Sequence, residues 1–247
     1  MIRLVVCMGM LLSLGCRAPK PPRTKPLIAA REAAGLHYVE VVPVGPDLDE
    51  PMPMVVFIHG LGDRPRASWI EPNAQPARYI LPQAPRPHGD GYSWFPYRVG
   101  EQDPELEIHI EAAIEKLASM LKAVLTQHPT EGLPIVSGFS QGGILTFGLA
   151  LRHPELVSAA HPIAGFLPKV LWPMHRKAAA NPTIRAAHGT ADRVIPFGPT
   201  QEMVSTLDRR GFDISLRAFP NVGHGRSSAM REMSDAFIKS AIAEVVQ

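Results

Sequence analysis

The stretch Pro134-Ile135-Val136-Ser137-Gly138-Phe139-Ser140-Gln141-Gly142-Gly143 decides how the rest of the chain is read. Its first four residues form a short, mostly apolar run of strand character, and residues 143–152 continue as a helical pattern. Between them stands G-x-S-x-G. Alone, that match is weak. Strand, sharp turn and helix in this order are what a nucleophile elbow requires, because small residues let the two backbones approach closely and the turn lifts the hydroxyl clear of the sheet. The competing reading is a plain glycine-rich strand–helix turn.

Outward from this turn, from about Leu36 onward, short β-rich runs alternate with helical patterns. Strands are expected at residues 38–44, 54–58, 79–81, 134–137, 159–163, 183–187 and 215–218. Several are continuous apolar runs, as in strands covered on both faces. Residues 105–126 carry Leu106, Ile110, Ile114, Leu117, Leu121 and Leu125 on one helical stripe, with Asp103 and Pro104 as cap and first-turn residues. Helices are also expected at 143–152, 200–210 and 226–246. The alternation implies an α/β fold, a mostly parallel central sheet with helices on both faces. Functional residues then gather at the carboxyl ends of the strands. Residues 62–102, rich in Pro, Gly, Arg and aromatics, read as an irregular surface excursion near the site.

A serine hydroxyl is a poor nucleophile at neutral pH, so it needs a base, and the base needs an orienting acid. One known chain order places the acid and then the histidine downstream of the serine. His188-Gly189-Thr190-Ala191-Asp192 follows the strand 183–187 and puts Asp192 in a strand-end loop. Asn221-Val222-Gly223-His224-Gly225 follows the strand 215–218, with His224 between two glycines. His153, His161 and His175 precede the acid, so their order is wrong. His188 is read as shaping the acid loop, and Asp208 and Asp213 as surface residues. Tetrahedral intermediates also need oxyanion donors. The Gln141 N–H, next after the serine, is one. The Leu61 N–H, in His59-Gly60-Leu61-Gly62-Asp63 after the strand 54–58, is the other. His59 itself is read as structural, since the site already has a base.

Hydrophobic residues make up 45% of the 247 and charged residues 19%, with a net charge of +2. That is an ordinary balance for one globular domain. Basic residues are scattered, which argues against a nucleic-acid partner. Both cysteines, Cys7 and Cys16, lie in the first 16 residues, so the rest has no disulfide, thiolate nucleophile or cysteine metal site.

Arg3 followed by the apolar run Leu4 to Leu14 has the length of a secretory signal, too short to span a bilayer as a mature helix. Ser13-Leu14-Gly15-Cys16 then resembles a bacterial lipoprotein signal in which Cys16 becomes the lipidated first residue. The match departs at Ser13, where such signals usually carry Leu. Four prolines between Arg17 and Pro26 favour an extended spacer. The domain reading is therefore a signal peptide at 1–15, a proline-rich tether at 16–35 and one folded domain at 36–247. It predicts an exported protein of the cell envelope, attached to the membrane through Cys16, with simple cleavage and secretion as the open alternative.

Taken in order, His59-Gly60-Leu61-Gly62-Asp63, Leu81-Pro82-Gln83-Ala84-Pro85 with Ser93-Trp94-Phe95, Gly138 through Gly143, His188-Gly189 through Asp192, and Gly223-His224 resemble the phospholipase/carboxylesterase family that includes the acyl-protein thioesterases. Each motif is modest, but five in the right order are specific. The resemblance runs from about Met54 to the C-terminus. It implies the α/β-hydrolase fold, no cofactor and no metal, and hydrolysis of a small-molecule or lipid ester with a short or medium acyl chain. It also implies Ser140, Asp192 and His224 as triad, with Leu61 and Gln141 as oxyanion donors. The segment 168–182 departs from the family core and reads as a pocket wall, a small cap, or a surface loop with a buried tryptophan. Two rivals stay open: a peptidase or polymer depolymerase on the same fold, and a non-catalytic envelope binding protein that retains it.

Overall fold

A computed structural model describes residues 23–45, 47–71, 73–96, 105–176 and 181–246. The signal peptide, Cys16 and the Asp103–Pro104 cap lie outside the described residues. In chain order the strands are β1 (Leu27–Ala33), β2 (Leu36–Val42), β3 (Met54–Ile58), β4 (Arg78–Pro82), β5 (Arg86–His88), β6 (Gly91–Ser93), β7 (Ile135–Phe139), β8 (Ala159–Ile163), β9 (Thr183–Gly189) and β10 (Ile214–Phe219). The helices are α1 (Leu106–Gln127), α2 (Gln141–Arg152), α3 (Phe197–Arg209) and α4 (Ser228–Val245). None of the described helices is long and apolar enough to cross a membrane.

Eight strands form one sheet in the order β1-β2-β4-β3-β7-β8-β9-β10. From β4 to β10 all neighbours are parallel, and β1 and β2 add an antiparallel edge. The period-2 alternation of side chains explains the two cores. Val56, Ile58, Ile80, Val136 and Ala160 face one cluster, with Ile110, Ile114, Leu117 and Leu121 of α1 and nearly all of α2. Their chain neighbours Val55, Tyr79, Leu81, Ile135 and Ala159 face the other, against Ile238, Ala241 and Ile242 of α4. Strands buried on both faces must be covered on both, which is why β3 reads as an unbroken apolar run and β4, β7 and β8 as mostly apolar ones.

Two expectations are corrected. Leu27–Ala33, inside the stretch read as tether, is an edge strand paired residue for residue with β2, so a domain boundary at residue 36 is too late. It was hidden because LIAAREA is largely exposed and carries no apolar alternation. Its turn, Ala34-Gly35, has positive φ at both residues (46° and 71°), as a two-residue hairpin loop requires. Second, residues 62–102 are not merely a surface excursion. Besides β4, where a strand was expected, the described residues there contain the β5–β6 hairpin and buried Trp94 and Phe95.

At the antiparallel edge, Glu40 is fully buried. Its carboxylate pairs with the buried Arg78 guanidinium and accepts from Arg31 Nε at 3.0 Å. Arg78 also donates to the Leu48 carbonyl at 3.1 Å. Removing one partner of such a pair strands a buried charge. Arg78→Met should therefore cost about 3 kcal/mol in urea unfolding. The double variant Glu40→Gln/Arg78→Met should recover part of that loss.

Candidate active site

β7 ends at Phe139 and α2 begins at Gln141, leaving Ser140 to turn the chain alone. It does so at φ 58°, ψ −120°, a conformation that costs a side-chain-bearing residue roughly 1–3 kcal/mol. Close packing enforces it. A Cβ on Gly142 would collide with the Ile58 carbonyl, so the first turn of α2 lies directly on the end of β3. The Ser140 N–H donates to the Ile163 carbonyl of β8 at 3.0 Å, anchoring the turn from the other side.

Asp192 follows β9 and His224 follows β10, and these two strands are neighbours. Their loops are fastened together. Ala191 N–H donates to the Val222 carbonyl at 3.0 Å, Thr190 N–H to the Phe219 carbonyl at 3.0 Å, and Asn221 N–H to Thr190 Oγ1 at 3.1 Å. Asn221 takes positive φ (60°) to make the turn. Asp192 Oδ1 accepts the N–H groups of Val194 and Ile195, both at 2.9 Å, which leaves Oδ2 for the imidazole.

The structure brings the three side chains together. His224 Nδ1 lies 2.8 Å from Asp192 Oδ2, and His224 Nε2 lies 3.0 Å from Ser140 Oγ. The carboxylate has no exposed surface and the imidazole retains 18% of its own, so the acid is shielded while the base faces the cavity. That cavity, about 280 Å³, is walled by Leu61, Asp63, Phe139 and Val194 around Ser140 and His224. A larger cleft of about 480 Å³ adjoins it, sharing Gly60, Asp63 and Phe139. The Gln141 N–H heads α2, where the first N–H groups of a helix lack intrahelical acceptors and the dipole favours negative charge. The Leu61 loop runs beside the serine: a Cβ on Gly60 would lie 3.3 Å from the Ser140 Cβ.

The remaining histidines do other work. His59 donates from Nδ1 to the Gly60 carbonyl (2.7 Å) and accepts at Nε2 from Ala84 N–H (3.1 Å), so it is a neutral brace. Burial lowers its pKa below the usual histidine range. His161 spans Arg185 O (2.5 Å) and Ser234 Oγ (2.9 Å) beneath α4, also with its pKa lowered by burial. His188 donates from Nε2 to the Ile195 carbonyl at 2.9 Å and approaches Asp192 Oδ2 at 3.4 Å. Desolvation lowers its pKa as well. His153 lies against Glu115 of α1, and His175 is exposed. Asp213 bonds Arg185 and Thr183, and Asp208 is an exposed residue of α3. Trp172 is buried, donating to the Leu167 carbonyl at 2.7 Å, and is absent from the lining of the Ser140 cavity. Val194 was missed from sequence as a cavity wall, since only the folded acid loop carries it there. Trp94 was seen only as part of a motif.

A strained serine at a strand–helix turn, facing an imidazole held by a buried carboxylate, is the arrangement of the serine hydrolases, here on an α/β-hydrolase sheet. A family model described as phospholipase/carboxylesterase matches residues 41–242, and the chain belongs to that family. A probable carboxylesterase of rice, Oryza sativa subsp. japonica, is 29% identical over 205 residues, covering 75% of this chain and 76% of the relative. Acyl-protein thioesterase 1 of Eremothecium gossypii is 27% identical over 214 residues, covering 75% of this chain and 86% of the relative. Among solved structures, esterase PE8 superposes with a TM-score of 0.67 at 24% identity, covering 81% of this chain and 98% of that one.

The buried histidines set an acid limit on stability. His59, His161 and His188 have native pKa values below the unfolded value of 6.5, so the unfolded chain binds more protons in that interval. Stability from this source is complete above pH 6.5 and is lost as pH falls through 6.5 toward the native values. The urea midpoint should hold between about pH 8 and 7 and decline steadily toward pH 5. A flat profile would contradict neutral burial of these rings.

Proposed function

We propose that this chain is a serine esterase that hydrolyses carboxylic ester or thioester bonds of short to medium acyl chains through an acyl-enzyme. The observation that carries this reading is the continuous contact from Asp192 Oδ2 through His224 to Ser140 Oγ. With Nδ1–H donating to the Asp192 carboxylate, Nε2 presents its lone pair to the serine hydroxyl. As Oγ attacks the carbonyl carbon, His224 accepts the proton, and Asp192 stabilises the imidazolium. The N–H groups of Leu61 and Gln141 receive the oxyanion. His224 then protonates the departing alcohol or thiol. Water repeats the sequence to release the acid and restore Ser140.

The walls Leu61, Phe139 and Val194 support an apolar acyl group, and the modest cavity supports a short or medium chain. The thioesterase among the relatives supports thioesters as a second substrate class. Ser140→Ala should abolish hydrolysis of p-nitrophenyl butyrate and labelling by a fluorophosphonate while far-UV circular dichroism stays unchanged. Asp192→Asn should lower kcat by about 10⁴-fold, because the neutral amide can hold the imidazole in the wrong tautomer and offers no charge to the imidazolium. Unchanged turnover in Ser140→Ala would reject the nucleophile.

The N-terminal pattern supports an envelope location. In this reading residues 1–15 are removed, Cys16 is lipidated, and the prolines from Pro19 to Pro26 space the domain from the membrane. The mature chain would carry 24 basic and 23 acidic residues, so the acyl chains and not surface charge would hold it. Cys16→Ala should move the protein from the membrane fraction to the soluble fraction. Mass spectrometry of the N-terminal peptide should show the lipid on Cys16.

A further inference from the structure

The two oxyanion N–H groups belong to separate parts of the chain, the loop after β3 and the first residue of α2. Catalysis gains from such donors only when both are aimed before the charge appears. Ser93-Trp94-Phe95, just after the β5–β6 hairpin, bonds to both parts. The Trp94 backbone N–H donates to Gln141 Oε1 at 2.9 Å. The Trp94 indole N–H donates to the His59 carbonyl at 2.9 Å. Gln141 Nε2 donates to the Phe95 carbonyl at 2.9 Å, and Ser93 Oγ lies 3.3 Å from the Gln141 amide. The hairpin also holds the loop directly, with Gly62 N–H on the Tyr92 carbonyl and Tyr92 N–H on the Asp63 carbonyl, both at 2.9 Å. Ser93, Trp94, Phe95 and Gln141 are all buried, so these bonds meet little competition from water.

We propose that Trp94 is the positioning residue of the oxyanion hole, joining the loop that carries Leu61 to the turn that carries Gln141. This rests on the oxyanion roles assigned above and goes beyond them. The Gln141 backbone N–H stands at the head of α2, next after Ser140, while its side-chain amide is committed to the 93–95 segment. Trp94 spends its two N–H groups on the two sides of the hole. Phenylalanine at this position would keep the ring bulk and the backbone bond to Gln141 but lose the bond to His59. The Leu61 loop would then keep its bonds to Tyr92 but lose its direct tie to the segment that holds the Gln141 side chain.

The test is Trp94→Phe, assayed on p-nitrophenyl butyrate beside Trp172→Phe. The control removes another buried indole bond, to the Leu167 carbonyl at 2.7 Å, outside the site. In Trp94→Phe, kcat should fall about tenfold with KM nearly unchanged, a fraction of the cost of deleting a donor outright. Inhibition by butylboronic acid, whose tetrahedral adduct on serine uses the same two N–H groups, should weaken by the same factor. Trp172→Phe should lower the thermal midpoint comparably and leave both constants alone. Equal kcat losses in the two variants, an unchanged kcat in Trp94→Phe, or a change confined to KM would overturn the proposal. If Trp94→Phe does not fold, Gln141→Met breaks the same junction from the other side and is read by the same criteria. An inactive Ser140→Ala beside a fully active Trp94→Phe would reject the positioning role and leave the esterase reading standing.

Discussion

The backbone of Ser140 is held where an unconstrained serine would not stay, and most of the molecule can be understood as the apparatus that holds it. The first turn of α2 presses on the end of β3, and the serine N–H is tied to β8, so three elements over-determine one residue. Relaxing the turn would separate α2, whose residues are almost wholly buried, from the sheet it packs on. Many buried apolar side chains, each contributing roughly 1.5–3 kcal/mol, easily outweigh the strain of one residue. The hydroxyl is therefore presented at the carboxyl end of a central strand, with the head of a helix immediately behind it.

Around this turn the histidines divide by environment. Three of them brace the framework as buried neutral rings, each with a backbone carbonyl as partner. The fourth, His224, keeps one face toward the cavity and contacts Asp192 and Ser140. The residue type is the same in all four, and burial with hydrogen-bond partners separates framework from chemistry. His188 stands closest to the boundary, since it braces the acid loop while its Nε2 approaches the same carboxylate oxygen that His224 uses.

The site is also joined to parts of the fold that have no chemistry of their own. The 93–95 segment and the hairpin before it link the loop after β3 to the start of α2. Bonds between the β9 and β10 loops carry Asp192 and His224 together. At the opposite edge, Glu40 and Arg78 bury charge where β2 meets β4, closing the antiparallel side of the sheet.

Legibility from sequence followed the strength of local signals. Strands covered on both faces, such as Met54–Ile58 and Ala159–Ile163, announce themselves because nearly every residue is buried and most are apolar. The stripe of α1 is equally plain, although Val124 is buried where Leu125 was expected and Leu125 only packs against the edge of the core. The elbow, the acid loop and the histidine loop were readable because small residues and chain order mark them. β1 escaped notice because its stability comes from pairing with β2 and not from its own composition. By itself, then, the sequence determined the α/β architecture and the chemical groups at strand ends, since periodicity and glycine spacing are local properties. Only the tertiary structure decided that Asp192 spends one oxygen on backbone and one on His224, that Val194 walls the cavity, and that Trp94 bonds both the His59 carbonyl and the Gln141 side chain. Those are distances between segments remote in the chain, and no local pattern encodes them.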